Sequence, residues 1–178
     1  EIKNPPANAL NQSVLEALTD AVERAKADPD VKVAVITGAG KFFVAGADIK
    51  EMAGKTTPEE GTALARIGQD VLNRIERAPK PFIAAINGPC FGGGLEMAMA
   101  CHLRYAAVGT KLGQPEINLG LIPGFGGTQR LPRLVGRSAA LEMLLTGEAI
   151  TAEEAHTLGL INRAVPEAEL LSVVTTIA

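Results

Sequence analysis

Apolar residues recur at helical spacing in two long stretches of the chain and run almost unbroken in three short ones. The first helical stripe is Val14, Leu18, Ala21, Val22 and Ala25, and it closes at Asp28-Pro29-Asp30. The second is Leu64, Ile67, Val71, Leu72 and Ile75, closing at Pro79-Lys80-Pro81. Start signals are legible. Ser13 with Glu16, Thr57 with Glu60 and Thr151 with Glu154 have the spacing of a capping box, and Asp48 with Glu51 is an Asp version of it. Pro58 stands at the first helical position after Thr57. The β-branched runs at 31–37 and 82–87 predict buried strands, and 103–108 predicts a weaker third. Strands alternating with helices predict an α/β arrangement. Both clear strands empty into glycine loops, Gly38-Ala39-Gly40 and Gly88-Pro89, that lead towards helix starts. The pattern of strand, glycine and helix therefore occurs twice.

Composition narrows the function classes. The chain has 178 residues, 47% of them hydrophobic and 21% charged, which suits one globular domain over 1–178. Its net charge is −3 and its aromatics are five Phe and one Tyr. A nucleic-acid binder would need a positive field and stacking platforms that are lacking here. No apolar run reaches the ~20 residues of a membrane-spanning helix. Cys90 and Cys101 make no disulfide framework, which favours a reducing, cytoplasmic setting. With only His102 and His156 beside them, a metal cluster is not expected. The segment 1–3 reads as the end of a strand and Ala178 falls in an apolar stretch, so residues are expected beyond both ends.

Three features carry candidate chemistry. Gly46-Ala47 and Gly92-Gly93-Gly94 each lie where a helix is about to open. A helix start presents unpaired N–H groups and a positive dipole end, and glycine lets another group come close. These glycines serve either tight turns or a pair of donors for developing negative charge. Second, Glu96 stands in Gly-Leu-Glu-Met-Ala-Met-Ala, and Glu116 lies between Pro115 and Ile117 with Leu119 and Leu121 beyond. Carboxyls in such company are satisfied by backbone donors, exposed on one face, or tuned as an acid/base pair. The start of its own helix would bias Glu96 towards the ionised form. Third, the run Ile122-Pro123-Gly124-Phe125-Gly126-Gly127-Thr128-Gln129-Arg130 is a glycine loop before a helix, either a pocket lining or a turn. Neither a phosphate-cradling loop nor a Gly-x-Ser-x-Gly elbow occurs. Cys90 reads as a small packing residue, and Lys41 and Lys50 flank 45–48 as solvated cations or anion contacts.

Taken together, the motifs closely resemble the enoyl-CoA hydratase (crotonase) family. They are Phe43-Val44-Ala45-Gly46-Ala47-Asp48-Ile49-Lys50-Glu51-Met52, Asn87-Gly88 running into Gly92-Gly93-Gly94-Leu95-Glu96-Met97-Ala98, Gly113-Gln114-Pro115-Glu116, and Pro123-Gly124 through Gly127-Thr128-Gln129-Arg130. The resemblance runs from Asn4-Pro5-Pro6-Ala7-Asn8-Ala9-Leu10 to Gly159-Leu160-Ile161. It implies a spiral of repeated ββα units, with a strand before Glu1 and C-terminal helices after Ala178. It implies that the N–H groups of Ala47 and Gly93 grip the thioester oxygen of an acyl-CoA. Glu96 then activates water for attack at Cβ, Glu116 gives a proton to Cα, and Gly124 helps seat the water. Lys41 and Lys50, with Ala45 and Asp48 in the loop between them, match positions facing the coenzyme A moiety. The resemblance implies no cofactor beyond that moiety, and assembly as a trimer or a dimer of trimers. It also implies a cytoplasmic location, or the mitochondrial matrix in a eukaryote. Both glutamates together favour hydration over isomerisation alone and over a non-catalytic scaffold, and the net charge of −3 with few aromatics disfavours an RNA-binding relative; an enoyl-CoA isomerase and the hydratase part of a multifunctional β-oxidation protein are the alternatives.

Overall fold

A computed structural model describes residues 1–54 and 57–178. Four strands form a parallel sheet: β1 (Ala34–Thr37), β2 (Phe82–Ile86), β4 (Leu103–Ala107) and β7 (Arg163–Val165), in the order β1-β2-β4-β7. Ile36 pairs with Ala84, Ala84 with Arg104, and Ala106 with Ala164. A smaller sheet holds β3 (Cys90–Phe91), β5 (Lys111–Gly113) and β6 (Ile150–Thr151), with β3 and β5 parallel. The chain deposits one strand in each sheet and then a helix. β2 and β3 lead to α4 (Gly93–Ala100), and β4 and β5 lead through a 3-10 turn (Pro115–Leu119) to α5 (Gly127–Val135) and α6 (Arg137–Thr146). The first turn does the same, because Val44 bridges to Cys90 before α2 (Ile49–Ala53) and α3 (Pro58–Glu76). This is the ββα spiral that the resemblance implies.

The apolar runs are continuous because the larger sheet is covered on both faces. Ala84, Ile86 and Ala106 join one core with Leu72 and Ile75 of α3 and Leu95 of α4. Their neighbours Ile83, Ala85, Tyr105 and Ala107 face a second core under α8 (Leu170–Ile177), which contributes Leu170 and Val174. β4 is an interior strand with four of its five residues buried, stronger than its sequence suggests. β1 begins at Ala34 rather than Val31, because its partner β2 begins only after Pro81. Val31 instead closes a turn on the Asp28 carbonyl.

The capping boxes at Thr57 and at Thr151 of α7 (Ala152–Thr157) form as expected. The other two differ. α1 (Gln12–Ala27) is capped by Asn11, not Ser13: the Asn11 side chain accepts from the Val14 N–H at 2.9 Å and from the Ser13 hydroxyl at 2.8 Å. Asn11 sits in extended backbone three residues before an orphan amide, which is what a cap needs. Ser13 lies inside the helix, and Ala21 of the expected stripe is exposed while Leu15, Leu18 and Val22 are buried. Asp48 caps α2, but Glu51 does not reach back to it and accepts instead from the Gln12 N–H at 2.9 Å, joining α2 to the start of α1. In α3 only the C-terminal part of the stripe is buried; Ile67 is exposed.

The segment 2–10 lies alongside 37–48, with Ile2 bridging Gly38 and Leu10 bridging Ala47. Asn8 holds the two together. It is 3% exposed, adopts φ +55°, and donates from Nδ2 to the carbonyls of Ala39 (2.9 Å), Phe42 (2.9 Å) and Phe43 (3.3 Å). Replacing Asn8 with Ala strips donors from buried carbonyls, so the unfolding free energy falls by about 2–3 kcal/mol in a urea titration. A variant as stable as the parent would show that the loop 39–43 does not depend on this amide.

Candidate active site

The site begins with two backbone amides. Leu10 donates to the Gly46 carbonyl at 2.8 Å, and Asp48 donates to the Leu10 carbonyl at 3.0 Å. In a trans peptide the C=O and N–H point opposite ways, so with the Gly46 carbonyl turned to Leu10 the Ala47 N–H points away from it. On that other side lies the start of α4. A Cβ added to Gly93 would stand 3.4 Å from the Ala47 nitrogen and 3.3 Å from the Phe125 ring. Gly93 is the first residue of α4, where N–H groups have no intrahelical acceptor. Among the described residues neither amide meets a protein acceptor. Glycine is required next door, since a Cβ at Gly94 would fall 2.2 Å from the Val44 carbonyl oxygen. Gly92, with φ +50°, also has Glu116 Oε1 2.9 Å from where its Cβ would be.

Glu96 is one helical turn on and 1% exposed. Its Oε1 accepts from the N–H of Phe125 at 2.8 Å and of Gly127 at 2.6 Å. These donors belong to the start of α5, not of α4, so the bias towards the ionised form comes from a different helix than the sequence suggests. The geometry requires it, because the α4 amides lie on the Ala47 side. Burial dominates nonetheless and, with the nearby Glu116 carboxyl, pushes the Glu96 pKa up to about 7 against the pull of those N–H groups and Arg130.

Glu116 sits in the 3-10 turn Pro115–Leu119. Its sequence neighbours do not bury it: Ile117, Leu119 and Leu121 are all exposed. Gln114, fully buried, is what meets it. With the amide nitrogen turned towards the acid, Gln114 donates to Oε1 at 2.9 Å and to Oε2 at 3.0 Å. Burial raises the Glu116 pKa, opposed by a hydrogen bond to its own backbone. The two acids are close enough for the Glu116 carboxyl to raise Glu96, and Gln114, which meets Glu116, also lies beside Gly127 where Glu96 is bound. A Cβ at Gly127 would meet Glu96 Oε1 at 2.9 Å and the Gln114 amide at 3.0 Å.

The remaining expected residues are placed as follows. Gly124 is half-buried, its carbonyl accepts from Gln69 Nε2 at 2.8 Å, and its N–H meets no acceptor among the described residues. Ala45 spends its N–H on the Ala7 carbonyl at 3.1 Å, and the Asp48 carboxylate accepts from the N–H groups of Lys50 and Glu51. Lys41 and Lys50 are exposed on either side of this loop. Cys90 and Cys101 are buried thiols, and burial pushes Cys101 up to about 12. No group of His, Cys, Asp and Glu among the described residues is arranged to hold a metal. Nor is any described helix long and apolar enough to cross a membrane. A cavity of about 860 Å³ lies between α3 and residues 122–134 and backs onto Gly124 and Phe125 rather than onto Glu96 and Glu116. Three contributors are not recognisable from the sequence as structural partners: Asn8, Gln114 and Arg130. Only Gln114, two positions from Glu116, carries a local signal.

The family model for enoyl-CoA hydratase/isomerase matches residues 1–178. A probable enoyl-CoA hydratase of Bacillus subtilis is 53% identical over 171 residues, covering 96% of this chain and 66% of the relative. A glyoxysomal fatty acid beta-oxidation multifunctional protein of Brassica napus is 51% identical over 95% of this chain and 24% of the relative. The crystal structure of enoyl-CoA hydratase from Bacillus anthracis superposes with a TM-score of 0.91 at 41% identity, covering 96% of this chain and 66% of that one. The chain thus spans about two thirds of the length of single-function relatives and about a quarter of the multifunctional one. The shared spiral, the unbroken family match and these identities place the chain in the enoyl-CoA hydratase/isomerase family.

Proposed function

We propose that this chain hydrates trans-2-enoyl-CoA thioesters to 3-hydroxyacyl-CoA. The observation that carries the reading is the unpaired Ala47 N–H beside the start of α4 at Gly93, with Glu96 and Glu116 gathered next to it. Adding water to the α,β-unsaturated thioester builds enolate-like charge on its oxygen. Two fixed N–H donors stabilise that charge more than the neutral ground state, which is the differential binding that catalysis needs. Glu96 takes a proton from water as it attacks Cβ, and Glu116 delivers a proton to Cα. A pKa of about 7 keeps Glu96 basic enough to accept a proton yet substantially ionised near neutrality. The N–H of Gly124 borders Glu96 through Phe125 and helps seat the water.

The substrate supplies its own coenzyme A and no further cofactor is required. Lys41 and Lys50, with Ala45 and Asp48 between them, face the CoA phosphates, a local positive field on a net-acidic chain. The family resemblance supports a homotrimer or a dimer of trimers. Two reduced, buried thiols and the lack of a spanning helix among the described residues support a cytoplasmic location, or the matrix in a eukaryote. Two retained acids favour hydration over isomerisation alone. The likeness to multifunctional proteins bears on what the chain is joined to, not on this chemistry.

Glu116→Gln lowers the rate of crotonyl-CoA hydration by about 10²–10⁴-fold, read as loss of enoyl-thioester absorbance. In the parent, protonating Glu96 removes the base on the acid side, and losing the last proton from the pair removes the acid on the alkaline side. The profile is therefore bell-shaped, and Glu116→Gln abolishes only its alkaline limb; unchanged hydration would refute the role given to Glu116. Gly93→Ala sets a methyl 3.4 Å from the Ala47 nitrogen, where the thioester oxygen belongs. It costs about 100-fold or more in kcat/KM, comparable to losing one oxyanion donor. Full activity in Gly93→Ala would move the oxyanion site elsewhere. Lys41→Ala weakens CoA binding at low salt and converges with the parent at high salt, measured by calorimetry.

A further inference from the structure

Three consecutive peptide groups in the loop before α5 face alternately. The Phe125 N–H points to Glu96 Oε1, the Phe125 carbonyl points the other way, and the Gly127 N–H points to Glu96 Oε1 again. With two such amides donating to one carboxylate oxygen, a carbonyl between them turned inwards would face that oxygen and repel it, which its outward turn avoids. Gly126, at φ +102°, permits that turn without enforcing it, because glycine rotates freely. The outward carbonyl accepts from one group among the described residues, Arg130 Nη1 at 2.8 Å. Arg130 is 8% exposed and is itself anchored on α3. Nη2 donates to Asn73 Oδ1 and to Glu76 Oε2, both at 2.8 Å, and Nε donates to Glu76 Oε2 at 3.2 Å. A Cβ at Gly126 would lie 2.5 Å from Nη1, so the guanidinium is pressed against the turn it holds.

We infer that Arg130 is a positioning residue for Glu96: by holding the Phe125 carbonyl outwards, it keeps the flanking N–H groups converged on one carboxylate oxygen. The inference rests on Glu96 being the base of the proposed hydration. The alternative is a brace that only ties α5 to α3 through the ion pair with Glu76, whose side chain is half exposed. Such a pair adds little by itself. The charged groups facing Glu96 are Glu116 from the 3-10 turn and Arg130 from α5; Glu76 of α3 is paired with Arg130. Losing Arg130 removes a cation and loosens two hydrogen bonds that favour the carboxylate. Both changes move the ionisation of Glu96 to higher pH.

The experiment compares Arg130→Gln, Glu76→Gln and Glu96→Gln in the full chain. Arg130→Gln folds, loses up to about 100-fold in kcat for crotonyl-CoA, and keeps KM within about threefold, as expected when a reacting group is misplaced. The acid limb of its kcat profile moves to higher pH. Glu76→Gln leaves the Phe125 contact in place and keeps kcat within about twofold, whereas a brace would make it as poor as Arg130→Gln. Hydrogen exchange at the Phe125 and Gly127 amides is faster in Arg130→Gln and unchanged in Glu76→Gln, a readout independent of turnover. Parent kcat and acid limb in Arg130→Gln, slow exchange at both amides, or loss of fold overturns the inference. Hydration that survives in Glu96→Gln sinks the assignment of Glu96 as base, and the exchange data then still decide whether Arg130 sets the loop.

Discussion

Everything in the site depends on how closely the backbone at 44–47 approaches the first turn of α4. A side chain at Gly94 would strike the Val44 carbonyl, so the helix start lies directly on the extended segment. That contact is ordered by the small sheet, where Val44 bridges Cys90 and the Phe91 N–H donates to the Val44 carbonyl. The same segment is held on its other edge by Leu10, which donates to the Gly46 carbonyl and accepts from the Asp48 N–H. Pairing on one edge is what leaves the Ala47 amide free on the other. The donor is an unavoidable remainder of sheet geometry rather than a separately built device.

Two helix starts divide the negative charge between them. α4 offers its orphan amides outwards, beside Ala47, while α5 spends its own on Glu96. A single helix end serving both would bring the carboxylate onto the Ala47 side and consume the donors that are left unpaired there among the described residues. Separating them lets Glu96 be buried at 1% exposure with its charge tolerated and its pKa near 7 rather than far higher. Two N–H donors alone would pull a carboxyl below its ordinary value; burial and Glu116 offset them. The acid strength of Glu96 is therefore a balance in which burial outweighs the donors of the loop 124–127.

Local interactions were readable from the sequence and distant ones were not. The boxes at Thr57 and Thr151 are closed by residues three positions apart, and both form. At the start of α1 the box spacing singles out Ser13, but the cap is Asn11, whose extended backbone and side-chain oxygen meet the Val14 amide. Glu51 obeys the spacing of a box yet serves Gln12, 39 residues away. Asn8 meets carbonyls 31 to 35 positions along the chain, and nothing near it announces this. Strands of two or three residues such as β3, β5 and β6 are too short to show a period, so the second sheet was invisible until the spiral closed. Glu116 is a subtler case. Its apolar neighbours in sequence suggest burial, but a 3-10 turn throws them outwards and Gln114 supplies the enclosure.

α4 shows how such a site is sustained. All eight of its residues are buried, and Glu96 is the one charged group among them. Its opening amide at Gly93 meets no acceptor among the described residues, and each unpaired buried donor costs roughly 1–3 kcal/mol. Against this stand Leu95, Met97, Ala98 and Met99, apolar side chains whose burial contributes on the order of 1.5–3 kcal/mol for each of the larger ones. Those residues have no polar face to offer, so the helix has no stable position except inside the first core. A helix confined in this way keeps its first turn fixed although that turn is unsatisfied. The apolar run after the three glycines and the unpaired amides within them are thus one arrangement: packing at the far end of the helix holds donors ready at the near end.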